Sequence, residues 1–313
     1  MSNNKKKYTS IGGQALIEGI MMRGPEKTFI AVRNKEKEIV TKEFSFTPLK
    51  EKYKFLGWPL VRGTVAFIES MKMGYETLSI SLDLSGLGEE EEESKFDKWL
   101  SEKFGDKMNS IIMGIGAVLG VALAILLFYF LPTLVCNLVS NAINKELGML
   151  RSVIEGIMRI IIFLSYVALC SLMSDIKRVF MYHGAEHKTI FCYEAGEELT
   201  VENVRKHSRY HPRCGTSFMI IILLLGIIVG FFIPFTNPLA RTAVKLLCIP
   251  IVVGVGYEFI KYAGKHDNVC TRILSAPGKW VQRITTKEPT DDMIEVAIEA
   301  LTLVIPKDSE EIV

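Results

Sequence analysis

Four apolar runs, approximately 110–136, 152–174, 217–235 and 240–262, dominate the middle of this chain. Each holds about 20 residues or a little more, and at a helical rise of about 1.5 Å per residue such a run spans about 30 Å, the thickness of a bilayer's hydrocarbon core. Only a helix satisfies its own backbone polar groups over that distance when it crosses alone. Composition agrees with an integral membrane protein: 49% of residues are hydrophobic against 23% charged, and the mean hydropathy is +0.26. The formal charge of +2, from 37 basic and 35 acidic side chains, gives none of the basic excess of nucleic-acid binders, so a nucleic-acid partner is not expected. Six cysteines stand singly at 136, 170, 192, 214, 248 and 270, without a CxxC, which argues for reduced thiols rather than a disulfide framework.

Orientation follows from Lys and Arg in the short connections. The connection between the second and third runs carries seven: Lys177, Arg178, Lys188, Arg205, Lys206, Arg209 and Arg213. The first connection has Lys145 and Arg151, and the last has Arg241. The basic connection is therefore expected on the cytoplasmic side, and four spans then place both termini there, in agreement with Lys5–Lys7 and with Lys265, Arg272, Lys279 and Arg283. No apolar core follows Lys5–Lys7, so a secretory signal is not expected.

Upstream of the first run, Thr28–Asn34 and Glu38–Phe46 alternate in polarity around Lys35-Glu36-Lys37, the pattern of a β-hairpin. Arg62–Leu84 has helical spacing, its apolar face taking Val65, Ile68, Met71 and Leu78. Glu89–Glu93 reads as a solvated linker, and Phe96, Trp99, Leu100, Phe104 and Met108 recur as in an interfacial amphipathic helix. Asp291–Val304 reads as one more helix after Pro289 and Thr290. The domain plan is a cytoplasmic module over 1–88, a linker with interfacial helix over 89–108, a four-span membrane domain over 109–262 that contains the histidine loop 175–216, and a cytoplasmic tail over 263–313.

All five histidines, His183, His187, His207, His211 and His266, fall in the second half of the chain, four of them within 29 residues. His183-Gly184-Ala185-Glu186-His187 has the form H-x-x-E-H. On a helix, positions i and i+4 share a face about 5–6 Å apart at Cβ, so two imidazoles can hold one metal. In metalloproteases with this inverted order the adjacent carboxylate, here Glu186, is no ligand but takes a proton from the attacking water. With 5 His and 27 Glu in 313 residues the pattern arises by chance about 0.007 times per chain. The competing reading is a histidine pair that caps the second span.

A pair never completes a metal site. His207 and His211 repeat the spacing of four, but Pro212 disfavours helix at His211, so that pair is expected to straddle a helix end. His211-Pro212-Arg213-Cys214-Gly215-Thr216 brings a histidine and a thiol to the start of the third span. Glu258, near the end of the fourth span, needs a partner: a metal, Arg213 or Lys261. Glu155 and Arg159, four apart in the second span, read as a structural pair. The middles of spans one and three carry no ionisable side chain, which disfavours a transporter. In the glycine-rich stretch Ile11–Pro25, either Glu18 and Arg23 form a buried ion pair at glycine-assisted turns, or Gln14, Glu18 or Arg23 orients a substrate.

Five segments together resemble the bacterial YqhQ family: Gly12–Pro25, Tyr182-His183-Gly184-Ala185-Glu186-His187-Lys188, His211–Thr216, Gly256-Tyr257-Glu258, and Pro277–Gln282 with Thr285–Pro289. The resemblance runs over almost the whole chain and implies a metal-dependent membrane enzyme of unknown substrate. It carries the family pattern onto His183, Glu186, His187, His211, Cys214 and Glu258, and matches neither His207 nor His266. It thereby favours His183 and His187 with His211 or Cys214 as ligands.

The expectation is an integral membrane α-helical protein with four transmembrane helices and a small cytoplasmic α+β portion, acting as a hydrolase at the cytoplasmic membrane face. Its cofactor is a divalent metal, Zn2+ by the ligand types: His183, His187, His211, Cys214 and Glu258. Glu186 is the general base, with Arg213, Arg23 and Glu18 as further catalytic candidates. Substrate is open between a peptide, a lipid-linked compound and a phosphoester; the bilayer is the one firm partner, and self-association stays open. The alternatives are a non-catalytic membrane scaffold with a closed structural metal site and, further off, a transporter.

Overall fold

The computed structural model describes residues 9–87, 107–263, 266 and 268–306. The glutamate run 89–93 and most of the expected interfacial helix 96–108 lie outside them.

A four-stranded antiparallel meander opens the fold: β1 (Gly12–Leu16), β2 (Gly19–Arg23), β3 (Thr28–Arg33) and β4 (Ile39–Glu43), in the order β1-β2-β3-β4. The expected hairpin is β3–β4, with Val32 opposite Val40 and Arg33 opposite Ile39. The glycine-rich stretch is itself a hairpin: Leu16 pairs with Gly19 across a two-residue turn in which Glu18 takes φ +50°. β2 is buried on both faces. Ile20 and Met22 join a core with Tyr182, Ala185, Ile294 and Leu301, while Met21 joins Leu16, Ile30, Val32 and Met73 on the other side.

The helices are α1 (Leu49–Lys52), α2 (Val61–Ser85), α3 (Lys107–Ile125), α4 (Leu131–Ile143), α5 (Leu150–Cys170), α6 (Ser174–Glu194), α7 (Val201–Lys206), α8 (Gly215–Phe231), α9 (Pro238–Ala263), α10 (Val269–Thr285) and α11 (Asp291–Thr302). The sheet lies between α2 on one face and α6 with α11 on the other. α2 ends at Gly86 in the left-handed conformation at φ +72°, as an αL cap requires. Beside Met73, it turns mainly small and polar residues inward. Gly74, Thr77, Ser81 and Ser85 are buried, while Ile68, Met71, Tyr75, Leu78 and Leu82 are exposed.

Among the described residues, three helical stretches are long and apolar enough to cross a membrane: Gly114–Ile143, Leu150–Cys170 and Pro238–Ala263. The fourth apolar helix, Gly215–Phe231, has 17 residues. α3 and α4 form one rod joined by a π-helical turn, Leu126–Phe130. Pro132 explains it, because its ring nitrogen cannot donate to the Phe128 carbonyl and the ladder must widen. That carbonyl accepts instead from Arg159 Nε at 2.8 Å.

Arg159 therefore does not form the expected pair with Glu155. Glu155 accepts from Arg241 Nε at 2.9 Å and Lys245 Nζ at 2.5 Å, both on α9. Arg241, read from sequence as a loop cation, is a buried residue of α9 whose guanidinium also donates to Ser152 Oγ at 3.0 Å and to the carbonyls of Gly230 and Ile233 that end α8. The five described cysteines, at 136, 170, 192, 214 and 248, are free thiols.

Candidate metal centre

α6 is the spine of the site. Its motif is helical as expected, so His183 and His187 lie one turn apart with ring centroids 4.4 Å from each other. Gly184 between them is required by a close approach: a Cβ there would run into the carbonyl oxygen of Lys287 in the tail. The Lys287 N–H returns to the Phe180 carbonyl at 2.8 Å, and buried Lys188 donates to the Arg205 carbonyl at 2.9 Å and pairs with Glu288.

Each imidazole is oriented by a backbone carbonyl. His183 Nδ1 lies 2.9 Å from Thr285 O and His187 Nδ1 lies 2.6 Å from Arg209 O. A carbonyl can only accept, so Nδ1 carries the proton on both rings and each Nε2 presents its lone pair. This is the arrangement that fixes tautomer and aim in metal-binding histidines. Cys214, the N-cap residue of α8, places Sγ 3.2 Å from His183 Nε2, and the Thr216 hydroxyl donates to the same sulfur at 3.3 Å. The ligand atoms of His183, His187 and Cys214 all lie within 4.8 Å of one another. Two imidazole nitrogens and a sulfur form a donor set suited to zinc.

His211 stands beside them, its ring centroid 5.4 Å from that of His187. Its backbone is clamped by Gln282 through a reciprocal pair, N–H to Oε1 at 2.7 Å and Nε2–H to the His211 carbonyl at 2.8 Å. Burial, then the fields of His187 and Arg213, hold its imidazole well below the ordinary value, so it is neutral. The Arg213 N–H donates to Nδ1 at 3.3 Å, which puts the proton on Nε2, a buried atom with no hydrogen-bond partner. Glu186 is buried between α6 and β1. Burial pushes its carboxyl above the ordinary value, opposed by the His183 field and the Gly13 N–H. Gly13 is needed there, since a Cβ would lie 3.0 Å from the Glu186 carboxyl carbon.

The other expected residues lie elsewhere. Glu18 does not pair with Arg23; both its oxygens take the Arg178 guanidinium, the first at 2.5 Å. Arg23 sits at the exposed end of β2, its guanidinium 5.5 Å from the Phe46 ring centroid. Gln14 packs on Gly74 of α2. Glu258 holds Arg62 through both oxygens rather than Arg213 or Lys261. Arg213 ties the Thr9 carbonyl, at 2.8 Å, and Glu194 to the start of α8. His207 follows the last residue of α7, so it and His211 both lie past that helix end; it forms a second group with Cys192 and Glu197 whose ligand atoms also lie within 4.8 Å. His266 stacks on Tyr262. Sequence reasoning missed Gln282 as the clamp on His211, although it lies within a motif segment, and had no signal for Arg62 or Arg178.

Fold and site together define a mostly helical protein with bilayer-length apolar helices and a His-His-Cys cluster beside a small sheet. The chain belongs to the family described as "Protein of unknown function (DUF1385)", whose model matches residues 58–307. It is similar to the uncharacterized protein YqhQ of Bacillus subtilis (strain 168), 36% identical over 297 residues that cover 92% of this chain and 90% of that relative. No solved structure matches it.

Proposed function

We propose that this protein is a zinc-dependent membrane hydrolase, with His183, His187 and Cys214 as its metal ligands. The observation that carries the reading is the tautomer lock: two carbonyls consume both Nδ1 protons and leave an Nε2 lone pair on each of two histidines that cluster with Cys214. A divalent metal held there supplies Lewis acidity to a carbonyl or phosphoryl oxygen. Glu186, its carboxyl pushed above the ordinary value by burial, is suited to take a proton from water and return it to a leaving group. The buried Nε2–H of His211 is a neutral donor for developing negative charge. Glu18 and Glu258 take no part, because Arg178 and Arg62 engage them, and Arg23 lines a different cavity, with residues of α2 and α9. The substrate remains within the classes of peptide, lipid-linked compound and phosphoester.

In the same reading all four apolar helices cross the cell membrane, the flanking residues of α8 completing its span, and the basic connection and both termini face the cytoplasm. A second reading, a closed structural site, draws on His211 as the fourth ligand. The Arg213 N–H on its Nδ1 favours the donor role instead.

Elemental mass spectrometry on detergent-purified protein tests the proposal. About one zinc per chain is expected, lost with His183→Ala and His187→Ala and kept in Glu186→Gln. Folded protein that stays metal-free after reconstitution overturns it.

A further inference from the structure

The start of α2 and the end of α9 are fitted to each other. Gly63 and Gly254 meet so closely that a Cβ on Gly63 would stand 2.9 Å from the Gly254 Cα, and a Cβ on Gly254 would lie 3.0 Å from the Leu60 Cα. Leu60 takes φ +69° with ψ −49°, a positive-φ conformation that a branched side chain rarely adopts. The Thr64 hydroxyl donates to the Pro250 carbonyl at 2.9 Å, and Arg62 pairs with Glu258. Gly254 precedes the end of α9 by nine residues, roughly 14 Å of helix. The segment before α2 thus lies alongside a membrane-length helix well inside its end.

The side chains on that segment suit lipid better than water. Phe55, Trp58, Leu60 and Val61 are exposed, Trp58 to 65%, and the outward stripe Ile68, Met71, Tyr75, Leu78 and Leu82 continues from them along α2. Beside this apolar strip a cavity of about 340 Å³ opens between β2, α1, α2 and α9. Arg23, Lys50, Arg62 and Lys261 line it, against the single acid Glu69. Glu258 neutralises Arg62, and Glu69 accepts the Leu49 N–H at 2.5 Å. The cavity therefore keeps an excess of cations next to aromatic and aliphatic surface, which complements a phosphate carried on acyl chains.

We propose that this cavity binds the phosphate group of an anionic membrane lipid, with the acyl chains along Trp58 and the outward stripe of α2. Arg23, Lys50 and Lys261 are the phosphate ligands. The inference rests on α9 crossing the bilayer, which alkaline carbonate extraction checks separately, since protein released into the soluble fraction fails that premise alone.

The test is native mass spectrometry of the full chain titrated with phosphatidylglycerol or phosphatidylcholine of matched chains. The parent is expected to prefer phosphatidylglycerol. Arg23→Gln, Lys50→Gln and Lys261→Gln together should reduce that preference on the order of a hundredfold, three basic groups near a headgroup being lost. All three are surface side chains, and unchanged thermal unfolding confirms the fold. In a Trp99→Phe, Trp280→Phe background, brominated lipid should quench Trp58 fluorescence. Retained preference in the triple variant, or no quenching of Trp58, overturns the proposal. Inorganic phosphate displacing the lipid at equal concentration also overturns it and assigns the cavity to free phosphate.

Discussion

Two buried polar clusters occupy opposite ends of α8 and α9, and they are finished to different degrees. At one end Glu155, Arg241, Lys245 and Ser152 saturate each other and the carbonyls that end α8, with one guanidinium nitrogen of Arg159 left over at the rim. At the other end His187 has spent only one ring nitrogen on protein, the second nitrogen of His183 meets the Cys214 thiol, and His211 Nε2 has no partner. Buried polar groups are nearly always satisfied. A saturated cluster has done its work once the helices are packed, whereas an unsaturated one beside a thiol keeps the donor capacity that the proposed metal site would use.

The largest effect belongs to the saturated end. Glu155→Ala leaves Arg241 and Lys245 buried without their shared carboxylate, and removing one partner of a buried pair costs about 3–5 kcal/mol. Thermal unfolding in detergent should show a collapse of stability, or a loss of folded yield, that zinc does not repair. A variant as stable as the parent would show that the cluster does not hold α5, α8 and α9 together.

Next comes the response to metal. Zinc at about a hundredfold excess over its dissociation constant should stabilise the parent by about 2.7 kcal/mol through mass action. His183→Ala with His187→Ala should lose that gain, over and above the metal-independent cost of leaving the Thr285 and Arg209 carbonyls without their donors. Equal stabilisation of both proteins would place the zinc elsewhere, for instance on Cys192, Glu197 and His207.

These contrasts also show what the sequence could and could not convey. The histidine pair was legible because both residues lie on one helix, where spacing dictates the shared face. The β3–β4 hairpin was legible for the same reason, since alternation is local. Glu155 and Arg159 had the right spacing for a pair, yet Pro132 freed a carbonyl for Arg159 and α9 delivered two better partners to Glu155. Arg62 and Glu258 are 196 positions apart, beyond any periodicity. For α2, the period marked an apolar face but not its direction. That face points outward because Gly74, Thr77, Ser81 and Ser85 let the helix lie close on the sheet.

The smallest effect concerns proton linkage at the unsaturated end. His211 titrates well below an ordinary imidazole because burial and neighbouring positive fields penalise its charged form. Between that depressed value and the ordinary value of about 6.5, the unfolded chain binds a proton that the native chain refuses. Stability of metal-free protein should therefore be constant at neutral pH and fall as pH drops below about 6.5. The slope is at most about 1.4 kcal/mol per pH unit for one group. His211→Asn should flatten that slope, at the cost of some packing against Phe191 and His187. Unfolding midpoints measured from pH 7.5 to 5 on both proteins decide the matter. A parent slope that survives the substitution would move the acid sensitivity to another group and remove the argument that His211 is held neutral as a donor.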